Sequence, residues 1–235
     1  MYDASFDGKD SSGSYSRAWL WTIRLAAIAA LMLADSSAAQ IPGTPTLQNA
    51  WAAPGGVAAF NFGGGTPGQT YAAALSYAPS SAKLLFAGGY GWRNGSGTTQ
   101  SGVYGLRLAF PFTLGLSTGG FGFAAFAGVG GGPEVTVRDT LSSTTEVPIG
   151  LSIGWRRFFG GSQGFSIYAS PNYVFYSGGT ANGNLMRVGV GSDIALSPAL
   201  GVTLGVDFGG TRPATLGGPS GVLYGVGVSY AFKRR

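Results

Sequence analysis

From residue 55 to the end of the chain, short segments alternate a bulky apolar residue with a small or polar one. This period of two is the pattern of a β-strand with two different faces, and no segment of similar length keeps the 3.6-residue period of a helix. Ten such segments can be traced, at residues 57–62, 70–78, 84–92, 103–112, 121–129, 147–156, 165–176, 185–196, 200–208 and 222–232. The chain is therefore predicted to be all-β.

The composition of the two faces indicates which of them points inward. In the last segment the intervening residues are mainly small, and the bulky face consists of Val222, Tyr224, Val226, Val228, Tyr230 and Phe232. A soluble barrel would bury this face and expose a charged one, but only 10% of the chain is charged. A transmembrane barrel has bulky residues against lipid and small or polar ones inside. The pattern predicts a closed, antiparallel, up-and-down transmembrane β-barrel of about ten strands, with eight as the alternative.

The connections between the segments alternate in length, which supports the same fold. The shorter ones are residues 79–82, 113–120, 159–164 and 197–199. The longer ones are residues 63–69, 93–102, 130–145, 177–184 and 209–220. Transmembrane barrels have short periplasmic turns and longer extracellular loops, so the second set is predicted to be extracellular.

The first forty residues have the organisation of a secretory signal. An apolar run of ten residues extends from Leu25 to Ala34, and small residues at Ser37 and Ala39 follow at the spacing of a signal peptidase site. We expect residues 1–39 to be a cleaved signal peptide, residues 40–54 a short periplasmic lead, and residues 55–235 the barrel. The alternative is a single-pass anchor extended upstream to Trp19, although Arg24 interrupts it and the apolar run is short for a membrane span.

Aromatic residues cluster near both ends of the segments. Such clusters are typical of the two girdles that lie at the membrane interfaces. The predicted loop-side girdle contains Tyr90, Trp92, Tyr104 and Tyr224, and the predicted turn-side girdle contains Trp155, Phe165, Tyr230 and Phe232.

Together these features resemble the small bacterial outer-membrane β-barrel proteins. The resemblance is carried by the leader ending in Ala38-Ala39, the two-faced strands from about Gly55, and the closing segment 222–232, which is similar to the family's C-terminal assembly signal. One departure is that Lys233, Arg234 and Arg235 follow the aromatic residue on which the family usually ends. The resemblance implies the outer membrane of a Gram-negative-type envelope and insertion by the barrel-assembly machinery. It implies no single activity, because such barrels include pores, adhesins, enzymes and structural proteins.

Histidine and cysteine are absent from the chain, which removes the commonest acid–base and metal-binding side chains. We therefore predict no catalytic residue, metal site or cofactor, and expect the protein not to be an enzyme. Six charged residues share the parity of the small, inward face: Arg107, Arg156, Arg187, Glu146, Asp193 and Asp207. We expect an ion-pair network inside the lumen, because isolated charges in a narrow interior are costly. A charged constriction that selects solutes is the alternative.

The formal net charge of +5 is dispersed along the chain, so no nucleic-acid-binding face is predicted. We expect a monomer whose partners are outer-membrane lipids and, during biogenesis, the assembly machinery. The expected function is a structural barrel or a narrow, porin-like pore for small solutes. A barrel whose loops bind a surface partner, as an adhesin does, is the alternative, and a soluble secreted glycine-rich β protein is a further one.

Overall fold

The computed structural model describes residues 55–65, 68–79, 83–95, 101–116, 119–134, 142–159, 163–178, 181–211 and 221–232. The predicted signal peptide (1–39) and periplasmic lead (40–54) lie outside these residues. Among the described residues, no helix is long and apolar enough to cross a membrane. The ten strands in chain order are β1 (Gly55–Gly65), β2 (Gly68–Ala78), β3 (Leu85–Gly95), β4 (Ser101–Leu116), β5 (Gly119–Glu134), β6 (Ser142–Phe158), β7 (Gly164–Gly178), β8 (Ala181–Ala195), β9 (Leu200–Gly209) and β10 (Val222–Phe232).

The strands form a closed barrel. Each strand pairs antiparallel with its neighbours in sequence, and β1 also pairs with β10. This seam extends from Gly56 opposite Phe232 to Gly65 opposite Leu223. Closure gives each described strand two hydrogen-bonded neighbours. It therefore pairs the backbone N–H and C=O groups that would lack hydrogen-bond partners at a sheet edge. The predicted ten-stranded, up-and-down barrel is confirmed, and the eight-stranded alternative is wrong.

Side chains alternate between the two faces of the sheet as predicted. Outward positions carry large apolar residues with much of their surface exposed, such as Leu106 at 58% and Leu151 at 54%. Inward positions on the same two strands carry small residues that are fully buried, such as Ala109 and Ser152. The barrel therefore has an apolar exterior and an interior lined by small and polar side chains, which is the reverse of a soluble barrel.

The strands extend further at the loop side than the side-chain alternation indicates. β5 continues to Glu134 and β6 begins at Ser142, so most of the predicted loop 130–145 is strand. In the same way, β1 and β2 take up most of the predicted loop 63–69, and β7 and β8 take up most of the predicted loop 177–184. Backbone pairing explains the difference, because a hairpin can continue its ladder of hydrogen bonds through glycine, serine and threonine without any apolar alternation. The predicted turn-side connection 113–120 is also mostly strand, because β4 continues to Leu116 and β5 begins at Gly119.

Two inward aromatic rings lie directly over glycines of the neighbouring strand. Phe126 stands opposite Gly150, where an added Cβ atom would lie 2.6 Å from Phe126 Cζ and 2.5 Å from the carbonyl oxygen of Pro171. Tyr168 lies in the same way over Gly191 on β8. Glycine at these positions leaves the space that each ring occupies against the inner wall.

We expect Gly150→Ala to destabilise the barrel by about 1–3 kcal/mol, the usual cost of overpacking a well-filled interior. Gly56→Ala is the matched control, because the nearest atom to an added Cβ there, Phe232 Cδ2, is 3.4 Å away. The measurement is the urea concentration at which each variant loses the band of the folded protein in unboiled gel samples. Equal midpoints for the two variants would contradict the packing argument.

Candidate functional site in the barrel interior

The six charged residues predicted to face the lumen all occupy inward positions. Arg107 lies on β4, Glu146 and Arg156 lie on β6, Arg187 and Asp193 lie on β8, and Asp207 lies on β9. Four of them are buried, with 5% to 8% of their surface exposed, and Arg156 and Asp193 are half-buried. Charged groups buried to this extent need compensating contacts.

Arg187, at the middle of β8, and Asp207, near the loop-side end of β9, form a buried ion pair. Arg187 Nε donates to Asp207 Oδ1 at 2.8 Å. Its Nη1 donates to the Gly210 carbonyl oxygen at 2.8 Å, and its Nη2 donates to the Asp207 carbonyl oxygen at 3.3 Å. Gly209 stands opposite Arg187 with a φ of +144°, and an added Cβ there would lie 2.7 Å from Arg187 Cα. The glycine thus permits the close approach at which all three guanidinium nitrogens are engaged.

Asp193 accepts hydrogen bonds from hydroxyl groups on both flanking strands. Ser166 on β7 donates to Oδ2 at 2.8 Å, and Thr203 on β9 donates to Oδ1 at 2.6 Å. The three residues are direct cross-strand neighbours, so short side chains are sufficient to make the contacts. Ser166 and Thr203 were not predicted from the sequence. The alternation of side chains places both residues on the inward face, but only the strand register shows that they lie beside Asp193.

Arg107 lies among an aromatic ring and two serines. Its Nη2 donates to Ser152 Oγ at 3.0 Å, and the Ser152 hydroxyl is 2.9 Å from that of Ser170 on the next strand. Its guanidinium carbon lies 3.9 Å from the centre of the Phe126 ring, a cation–π arrangement. The Nε atom has no hydrogen-bond partner among the described residues. The guanidinium is therefore removed from water and only partly satisfied.

Glu146 and Arg156 lie near opposite ends of the inward face of β6. The Arg156 guanidinium lies 5.1 Å from the ring centre of Phe158. Among these six residues, Arg187 and Asp207 form an ion pair. A single ion-pair network that connects all six stays a prediction. Within the described part of the chain, no cluster of three or more acidic side chains is arranged to hold a metal ion.

A cavity of about 280 Å³ lies inside the barrel at the turn side, the end where β1 begins and β10 ends. Arg156, Asp193 and Thr203 form its polar side. The rest of its lining is mainly small, and includes Val57, Ala59, Ala74, Ser76, Ala87 and Ala231. Pockets for small organic molecules begin at roughly 300 Å³, so this cavity suits water and small ions better than a large ligand.

The eight residues of the predicted girdles occupy outward positions, and all but Tyr90, which lies at the middle of β3, are near strand ends. Tyr90 and Trp92 pack edge to face on β3, with ring centres 5.2 Å apart. Tyr230 and Phe232 do the same at the end of β10, at 5.5 Å. The remaining four are Tyr104 and Tyr224 at the loop side and Trp155 and Phe165 at the turn side. Contact of these residues with membrane interfaces stays a prediction.

Comparison with known proteins finds matches among solved structures and none among family models or curated sequences. No family model matches the sequence, and no curated protein sequence matches it. Among solved structures, the chain is similar to the β-domain of the Bordetella autotransporter BrkA, with a TM-score of 0.44 and 10% sequence identity. The similarity covers 75% of this chain and 98% of that chain.

Proposed function

We propose that this protein is an integral outer-membrane β-barrel with a structural role, whose lumen is closed to solutes at its midsection. The exterior supports the membrane assignment, because each of the ten strands presents a large, exposed apolar residue outward. These include Phe60, Leu75, Phe86, Leu106, Phe121, Ile149, Ile167, Met186, Leu204 and Val228. Soluble monomers expose apolar patches of only a few hundred Å², whereas these residues surround the barrel. A hydrocarbon environment removes the cost of exposing them.

An even number of antiparallel strands brings the first and last strand ends to one end of the barrel, as Gly56 opposite Phe232 illustrates. We assign this end to the periplasm, which is the usual orientation of such barrels. The proposal includes a monomer embedded in outer-membrane lipid and inserted by the barrel-assembly machinery. It includes no catalytic activity, because the chain has no histidine or cysteine.

The burial of inward polar residues supports a closed midsection. Asn61, Ser152 and Ser170 have no exposed surface, and Asn172 and Tyr168 expose only 3% and 4%. A conducting pore keeps water against the side chains that line it, and would leave residues of this kind accessible. A solute-selective constriction is therefore less well supported. The adhesion alternative depends chiefly on the predicted loops 130–145 and 209–220, of which residues 135–141 and 212–220 lie outside the described residues.

The membrane assignment is tested by expressing the full chain in a Gram-negative bacterium and separating the cell fractions. We expect the protein in the outer-membrane fraction, resistant to extraction by urea. In SDS gels the unboiled sample should migrate faster than the boiled one, because closed barrels stay folded in SDS until heated. Recovery from the periplasm or the medium, with a single band before and after boiling, would overturn the proposal.

The closed lumen predicts that protein with a verified folded band gives no unit conductance steps in planar bilayers. A general porin, incorporated in the same way, serves as the positive control for insertion. Reproducible steps from the purified protein would support the narrow pore instead. That result would overturn closure and leave the membrane assignment intact.

A further inference from the structure

The exposed charges on the barrel wall lie at one end. Among the residues whose side chains the structure describes, the exposed charged ones are Lys83, just before β3, and Arg157, at the end of β6. Both are cations at the turn side, and each lies against an outward aromatic ring. Lys83 Nζ is 5.9 Å from the ring centre of Phe112, and the Arg157 guanidinium carbon is 5.9 Å from that of Phe159. The outer wall therefore carries positive charge at this end.

No acidic side chain of the described residues balances these cations on the outer wall. The acidic residues whose side chains are described are Glu146, Asp193 and Asp207, and all three occupy inward positions. The wall of the barrel separates them from Arg157. In a membrane, the anions nearest to a cation at the edge of the apolar surface are lipid headgroups.

The neighbours of Arg157 place it at the interface of the proposed membrane. Trp155 precedes it by two residues on the outward face of β6, and Phe165 is its direct cross-strand partner on β7. Both belong to the predicted turn-side girdle, and tryptophan and tyrosine rings of such girdles sit at the headgroup level. Long cationic side chains keep their stems along apolar surface and extend their charge toward the polar side. This step rests on the membrane assignment proposed above.

The other side of Arg157 is open to an anion. Its partner on β5 is Gly119, which has no side chain. An added Cβ atom at Gly119 would lie 2.6 Å from the carbonyl oxygen of Arg156 and 3.3 Å from Arg157 Cα, so the wall does not accommodate a larger residue there. Arg157 is thus bordered by an aromatic residue on β7 and by bare backbone on β5, and its guanidinium is accessible from outside the barrel.

We propose that Arg157 binds the headgroup phosphate of an anionic glycerophospholipid, such as phosphatidylglycerol, in the periplasmic leaflet. The guanidinium donates hydrogen bonds to the phosphate oxygens, which it can contact in pairs. Trp155 and Phe165 pack against the upper part of the acyl chains. A zwitterionic headgroup carries its own cation beside the phosphate and gains less from Arg157. The turn side is the end assigned to the periplasm, which places the site in that leaflet.

Trp155 is a reporter beside the proposed site, because bromine atoms on lipid acyl chains quench the fluorescence of a tryptophan that they contact. The chain has five tryptophans, so the test uses the full chain with phenylalanine in place of the other four. The protein is folded into vesicles of equal parts phosphatidylglycerol and phosphatidylcholine, with bromine on one lipid and then on the other. We expect phosphatidylglycerol to be enriched roughly fivefold beside Trp155, the contribution of about one cation at a lipid surface.

Arg157→Gln should make the two quenching values equal, because it removes the charge and keeps a polar side chain. Arg93→Gln is the matched control, since it removes the same charge near the opposite end of the barrel, on β3, and should leave the preference unchanged. Equal quenching by both lipids in the parent protein would overturn the site and leave the membrane assignment intact. A preference that persists in Arg157→Gln would also overturn it.

Quenching by neither lipid would mean that Trp155 does not face lipid, and the membrane assignment would fail together with the site. If the protein with four phenylalanine replacements gives no folded band, the wild-type chain decides the question. Its folded band should survive to a higher temperature in vesicles that contain phosphatidylglycerol than in phosphatidylcholine alone. Arg157→Gln should lose most of this difference. The absence of a difference in the wild-type protein overturns the proposal.

Discussion

Arg187→Leu is expected to destabilise the folded barrel by about 3–5 kcal/mol, the cost of leaving one member of a buried ion pair without the other. Asp207 is only 5% exposed, so water cannot replace the guanidinium that donates to it at 2.8 Å. The substitution also removes the hydrogen bonds to the carbonyl oxygens of Asp207 and Gly210, which anchor the end of β9. The urea concentration at which half of the folded band is lost measures the effect. In the extreme case, Arg187→Leu gives no folded band even without urea.

The double variant Arg187→Leu/Asp207→Leu is the control that separates pairing from packing. Replacing both members of a buried ion pair by apolar residues is often neutral or stabilising, because the desolvation cost of both charges disappears. We therefore expect the double variant to be more stable than Arg187→Leu, with strong coupling in the double-mutant cycle. If the stability losses of the single variants Arg187→Leu and Asp207→Leu simply add in the double variant, the two residues do not act as a pair.

Much of the barrel wall could be predicted from residue types, because a strand between lipid and lumen must alternate in side-chain size. β10 illustrates this, with small residues such as Gly225 and Gly227 between bulky outward ones. The strand ends were less predictable. The stretch from Gly130 to Glu134 carries no apolar alternation, yet it pairs with residues 142–146 of β6. Backbone hydrogen bonds extend the ladder there, and side-chain periodicity does not report them.

Parity predicted that the charged residues face inward but not which groups they contact. Arg187 and Asp193 share one face of β8, yet the register sets Arg187 opposite Gly209 and Asp193 opposite Thr203. Their different partners follow from this register, which a single sequence does not reveal. Phe126 is a second example, since a bulky inward residue breaks the expected pattern and is accommodated only because Gly150 lies opposite it.

An arginine placed at Leu151 tests the lipid-facing exterior directly. Leu151 lies near the centre of β6 and is 54% exposed, so on a water-facing surface Leu151→Arg would change stability by no more than about 0.5 kcal/mol. Against the hydrocarbon midplane the same change costs about 2–4 kcal/mol, and near an interface about 0–1 kcal/mol.

Phe159→Arg is the matched control, because Phe159 is 55% exposed and lies just beyond the end of β6. Urea unfolding in phospholipid vesicles should therefore show a large loss of stability for Leu151→Arg and a small one for Phe159→Arg. Similar stabilities for the two variants would mean that this surface does not face hydrocarbon, and the outer-membrane assignment would fail with it.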